Sequence, residues 1–128
     1  MIGPSLYTLL SGHAPLTDLV GSQIYPVRAP QEKENPMVIF GVTSTEPQES
    51  KTLTSREDWY QAELVIYADD YDLSVQIAEE VRAALDKQSG TIASKAISDI
   101  VFRDYEDGWE EQRECYAPII KFLVIASP

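Results

Sequence analysis

The sequence predicts an α+β fold, an antiparallel sheet of about four strands with a long amphipathic helix and short N-terminal helices packed on it. Three observations carry this. Apolar residues recur every three or four positions near the N-terminus and over 71–86, the spacing of one helical face. Over 58–68 apolar and polar residues alternate strictly, the period of a strand with one buried face. The elements also run helices, two strands, helix, two strands, and that grouping favours an antiparallel sheet with segregated helices over a parallel βαβ array.

Taken in order, Pro4 suits a first helical turn, and Leu6, Leu9 and Leu10 keep helical spacing until Ser11 and Gly12. Pro15 opens a second short helix carrying Leu16, Leu19 and Val20, which stops at Gly21. Residues 25–36 contain Pro26, Pro30 and Pro36, so the chain there is expected to be extended and irregular. Residues 37–43 read as a strand with Val38, Phe40 and Val42 on one face. The polar stretch 45–57 is either a long exposed loop or the tip of an extended hairpin. The alternating strand 58–68 then turns Tyr60, Ala62, Leu64 and Ile66 one way and Trp59, Gln61, Glu63 and Val65 the other.

Asp69 and Asp70 end that strand and offer an N-cap, with Asp72 adding charge to the first turn. The helix buries Leu73, Ile77, Val81, Ala84 and Leu85 and turns Gln76, Glu79, Glu80 and Asp86 to water. After Gly90 a strand over 97–105 points Ile100 and Phe102 inward. An acidic turn, 104–111, leads to a last strand over 112–126 with Tyr116, Ile120, Phe122 and Val124 on one side. No linker or repeat divides the chain, so residues 1–128 are expected to form one domain.

Composition narrows function mainly by exclusion. With 10 Lys and Arg against 21 Asp and Glu, the chain carries a formal charge of -11. Such a surface repels phosphate backbones and anionic lipid, which argues against specific nucleic-acid binding and membrane anchoring. No apolar run approaches the roughly 20 residues of a membrane helix, and no signal peptide opens the chain, so cytoplasmic synthesis is expected. The single cysteine excludes an internal disulfide and the single histidine a multi-histidine site.

Chemistry-bearing constellations are wanting. Asp69, Asp70 and Asp72 lack the further ligands of a Ca²⁺ loop, so helix capping is the preferred reading and no metal site is assigned. Cys115 has acidic and aromatic neighbours and no adjacent base, which favours an inert thiol over a nucleophile with His13 as partner. No serine sits in a nucleophile elbow and no Gly-rich phosphate loop occurs. Glu110 and Glu111 point to opposite sides if extended and make no acid/base pair. Trp59 and Trp109 fit packing or a protein interface better than base stacking at this charge. Neither catalytic residues nor a cofactor are assigned.

Several segments resemble one family. Leu9-Leu10 before Ala14, then Leu16-Thr17-Asp18-Leu19-Val20-Gly21 and Ile24-Tyr25-Pro26-Val27-Arg28-Ala29-Pro30-Gln31, are similar to the opening of the tail-completion, or tail-terminator, proteins of long-tailed bacteriophages. So are Leu64-Val65-Ile66-Tyr67-Ala68-Asp69, the Tyr71-led helix ending Val81-Arg82-Ala83-Ala84-Leu85-Asp86, and a closing strand after an acidic turn. The resemblance spans nearly the whole chain.

It implies a structural virion protein, assembled in the host cytoplasm into the virion tail. Such a protein caps the head-proximal end of the tail tube as a ring, usually hexameric, stops tube polymerisation and presents a joining surface to the head-tail connector. It implies no catalysis, cofactor or membrane, and an acidic lumen suits DNA that must slide through. The expected partner surfaces are the two polar excursions, with Gln48, Leu53 and Arg56 on the first and Glu106, Trp109 and Glu110 on the second. Two rival readings are a head-tail connector or neck adaptor, separated only by its partner, and an acidic DNA mimic, which would be a monomer or dimer bound to a basic enzyme. A small enzyme would need a constellation that these residues do not supply.

Overall fold

A computed structural model describes residues 1–31, 33–49 and 56–128. The chain runs through α1 (Gly3–Ser11), α2 (Ala14–Val20), β1 (Ile24–Pro26), β2 (Met37–Glu49), β3 (Arg56–Tyr67) and α3 (Tyr71–Leu85). It continues through β4 (Gly90–Ile92), β5 (Lys95–Glu106), β6 (Trp109–Glu110), β7 (Cys115–Tyr116) and β8 (Ile119–Ala126). Six strands form one sheet in the order β1-β2-β3-β8-β5-β4, and β6 pairs with β7 in a small second ladder.

The α+β class stands, but the sheet has six strands where four were expected. The four expected strands form its centre, all antiparallel. One added edge is β1, where Tyr25 and Pro26 join Ile24 in a parallel pair with β2 instead of opening an irregular segment. Proline is tolerated there because an edge strand leaves one side without ladder donors. At the other edge, β4 and β5 form a hairpin whose turn residues Ala93 and Ser94 both have positive φ, 50° and 64°. That geometry follows the twist of the strands without the glycine or asparagine that usually marks it.

The last strand begins at Ile119, not at 112. Pro118 has no N–H to give a ladder and Glu114 sits at φ 50°, so the chain turns twice before β8, and Tyr116 leaves the expected face for the β6–β7 ladder. The acidic turn is shorter than 104–111, because β5 runs on to Glu106 and β6 starts at Trp109. Gly108 is required there by space: a Cβ would collide with the Ala117 carbonyl oxygen, whose own amide donates to the Gly108 carbonyl at 2.8 Å.

The core lies between the sheet and the helices. Tyr60, Ala62, Leu64 and Ile66 from β3 and Ile120, Phe122 and Val124 from β8 meet Leu6, Leu10, Ile77, Val81 and Leu85. Helix α1 packs on β1 and β2 at one end of the strand order and on β4 at the other, and Ser5 Oγ donates to the Ile92 carbonyl at 2.8 Å. A helix that touches both edges requires a sheet that curls around it. Val42, expected beside Val38 and Phe40, is 38% exposed because β1 stops opposite Phe40 and the ladder bulges between Val42 and Ser44.

Asp70 caps α3 as expected, accepting from the Leu73 amide at 3.3 Å. Two of the residues expected to face water are instead half-buried and partnered. Glu80 lies 3.3 Å from His13 Nε2, which ties α3 to α2, and Asp86 accepts from the Phe102 amide at 3.1 Å while facing Arg82 at 3.6 Å.

Candidate functional site

Of the stretch 45–57, residues 45–49 belong to β2 and pair with β3, which begins at Arg56. The ladder between β2 and β3 continues through Glu46↔Trp59, Pro47↔Asp58, Gln48↔Glu57 and Glu49↔Arg56, whereas β8 accompanies β3 only as far as Asp58. The outer rungs thus form a two-stranded arm that stands beyond the six-stranded body. Gln48 lies half-buried on this arm and the Arg56 backbone opens β3, while Leu53 lies outside the described residues. Two strands alone are marginal in water, so the arm contributes little to the fold. The bulge at Val42 and Ser44, and Pro47, interrupt the edge that β2 presents beyond the end of β1, devices by which edges resist unwanted pairing.

Glu106, Trp109 and Glu110 sit at the opposite end of the sheet, where Glu106 pairs with Ile119 and Ile119 with Val65. From Glu57 to Tyr67 along β3 is about 33 Å at ~3.3 Å per residue. Gln48 and Arg56 on the one hand and Glu106, Trp109 and Glu110 on the other therefore lie at two ends of one sheet. Glu106 is exposed, and Glu110 folds back to accept from the Gln112 amide at 3.2 Å. Trp109 is 50% exposed and packs edge-on to Tyr116, with centroids 5.1 Å apart, and Tyr116 packs on Tyr71 at 5.5 Å.

Asp107 holds this aromatic group together, accepting from Tyr105 Oη at 2.8 Å and from Tyr71 Oη at 3.2 Å. Burial first, then the hydrogen bond to Asp107, pushes the Tyr105 phenol well above its ordinary value, and the Asp107 charge raises Tyr71 as well. Both stay neutral donors at neutral pH.

Beside this end lies a corner that sequence reasoning did not single out. Arg113 donates to the Lys33 carbonyl at 2.9 Å and to Asn35 Oδ1 at 3.0 Å, and its guanidinium stands 5.1 Å from the Tyr67 ring centre. Together with Arg28, Ile39 and Tyr67 it lines an open pocket of about 490 Å³ on the face of the sheet away from the helices. The available signal was the scarcity of cations and the proline-bracketed Arg28; nothing local connects it to Arg113.

Elsewhere the chemistry is that of packing. Asp69 accepts from Asn35 Nδ2 at 2.9 Å and Asp70 caps α3, so two of the three aspartates serve local structure. Cys115 is fully buried, and His13 pairs with Glu80. Among the described residues no group of three or more His, Cys, Asp or Glu converges as a metal site, and no helix is long and apolar enough to cross a membrane.

Comparison with known proteins adds the identity of the family. No curated protein matches the sequence. A chain in the virion of a native gene transfer agent (GTA) particle has the same fold, with a TM-score of 0.78 at 15% identity over 96% of this chain and 92% of that one. The family model described as tail completion protein gp17 matches residues 4–125, from the proline of α1 to the end of β8. The chain belongs to this family of tail completion proteins and is a structural protein of the phage virion tail.

Proposed function

We propose that this protein closes the head-proximal end of the tail tube as one subunit of a ring, ends tube polymerisation and offers its far surface to the head-tail connector. The observation that carries this reading is the arm. Among the described residues the outer rungs Gln48↔Glu57 and Glu49↔Arg56 have no third strand and no helix cover, only the hydrogen bond from Ser98 to Glu57 at 3.1 Å, which favours contact with something other than this chain. Family membership supplies the setting, and the charge of -11 suits a wall past which DNA must slide. The role is one of shape and contact, without catalysis.

Electron microscopy of polymerising tail-tube subunit, with and without the protein, tests it. Tubes of limited length bearing extra density at one end are expected. Tubes of unrestricted length with bare ends would reject capping, and density that appears only on isolated connectors would favour the neck-adaptor reading.

A further inference from the structure

We propose that the end of the sheet bearing Trp109 and Tyr71 receives a cationic partner protein, one that presents arginine or lysine side chains to these rings. The inference rests on the capping reading above and names the chemistry of its second partner. The first observation is exposure. The fold buries Phe40, Tyr60 and Phe122 to 3% exposure or less, yet leaves Trp109 at 50% and Tyr71 at 43%. Both rings touch Tyr116, at 5.1 and 5.5 Å between centroids, so they form one aromatic surface and not scattered side chains. Tryptophan and tyrosine are the side chains on which interfaces most often depend.

The second observation is that this surface is set before a partner arrives. Asp107 accepts from Tyr71 Oη at 3.2 Å and from Tyr105 Oη at 2.8 Å. Trp109 pairs with Tyr116 in the short β6–β7 ladder, which the Ala117 amide closes on the Gly108 carbonyl at 2.8 Å. Rings held in this way lose little freedom on binding. Neither Trp109, Tyr71 nor Tyr116 belongs to the core beneath the helices, so burial there gives no reason for the exposed pair.

The third observation names the occupant. Residues 68–72 and 103–117, joined by the bridge between Ala68 and Tyr116, hold nine of the 21 acids and two of the 10 cations. Of those two cations, Arg113 is turned to the Lys33 carbonyl, Asn35 and the Tyr67 ring. The ion pairs among the described residues are His13–Glu80 and Arg82–Asp86, so none of the nine acids is in one. Asp69, Asp107 and Glu110 accept from neutral donors, which leaves their charge in place. An aromatic surface with unmatched carboxylates beside it attracts a cation. The chain shows that pairing elsewhere: the Arg82 guanidinium stands 3.9 Å from the Phe102 ring centre, with its Nε 3.6 Å from Asp86. Trp109 and Tyr71 have no such cation among the described residues. The same sign turns away nucleic acid and anionic lipid, and a second copy would bring its own charge of -11, which leaves another protein. This end lies about 33 Å from the arm along β3, so a subunit whose arm meets the tube still presents it to the next component.

Binding to the purified head-tail connector of the same virion, measured across a salt series, tests the surface. One variant is Trp109→Ala, and the other carries Glu106→Lys and Glu111→Lys, both at exposed positions, with melting temperature confirming the fold. Each is expected to weaken binding by roughly 30-fold, the scale of an interface anchor. Trp109→Phe keeps an aromatic ring and is expected to lose much less, native binding falls as salt rises, and tube capping is unchanged because the arm is intact. Folded variants that bind the connector like the native chain, or native binding that salt does not weaken, overturn the proposal. So does a native protein that caps tubes yet does not bind the connector, an outcome that leaves capping itself standing. Variants that lose capping but keep connector binding would give this end to the tube and overturn the proposal as well. Connector binding that obeys the substitutions while tubes grow without limit would reject capping and keep the surface.

Discussion

The two faces of β3 differ although their residues alternate along one strand. Tyr60, Ala62, Leu64 and Ile66 are each at most 1% exposed, closed beneath the helices, whereas Trp59, Gln61, Glu63, Val65 and Tyr67 all keep some contact with solvent. Neighbouring β8 largely repeats the division, with Ile120, Phe122 and Val124 buried and Ile119, Lys121 and Ile125 half-exposed, although Leu123 on the open side is only 2% exposed. The difference teaches where the free energy of folding resides. Burial beneath the helices supplies it, while the open face, the arm and the arginine corner hold apolar and charged groups that the fold does not require and a partner can use.

The sharpest way to break this comparison is to place a charge on the closed side. Ile77→Asp removes burial worth about 1.5–3 kcal/mol and adds an unpaired buried charge costing several more, a large part of a domain's total of about 5–15 kcal/mol. Loss of the folded circular dichroism spectrum is expected, and a soluble variant with native melting temperature would show the helix stripe to be misassigned. Gly108→Ala comes next, since its Cβ must push on the Ala117 carbonyl. A loss of about 1–3 kcal/mol, typical of overpacking, is expected in denaturant titration.

A smaller effect tests the Asp107 cluster. Because folding raises the Tyr105 pKa above its ordinary 10.0, the native state holds that proton more tightly than the unfolded chain does. Its contribution is complete below pH 10.0 and declines as pH rises from there towards the folded value. Tyr105→Phe is expected to lose about 0.5–1.5 kcal/mol at neutral pH with the hydrogen bond, and to show a shallower loss of stability in melts above pH 10.0. An unchanged alkaline slope would place the titration elsewhere. Smallest of all is Glu79→Lys, on the exposed side of α3, expected within about 0.5 kcal/mol of the native protein by the same melts.

Elements with a strong local period were legible in the sequence. The stripe of α3, the alternation of β3 and the Asp70 cap are patterns among near neighbours, and the structure follows them. What escaped depended on distant partners. A three-residue strand such as β1 or β4 has no period of its own and exists because Val38 or Ile97 lies opposite it. Ala93 and Ser94 turn the chain without glycine or asparagine, and Pro118 divides a run that reads as continuous strand. That the two expected excursions lie at opposite ends of the sheet was not legible, because the strand direction that separates them follows from pairing. The arginine corner was invisible for the same reason, since Arg28 and Arg113 meet only when the sheet forms.

The division of labour between body and arm is tested most directly by removing the arm. Residues 48–57 are replaced by Asn-Gly, which joins Pro47 to Asp58 through a two-residue hairpin turn. Melting temperature and the length distribution of tail tubes grown with the protein are then measured on one preparation. The expected result is a cooperative melt close to that of the native chain together with tubes that grow without limit. A shortened protein that still halts tube growth would contradict the account, as would one that no longer folds.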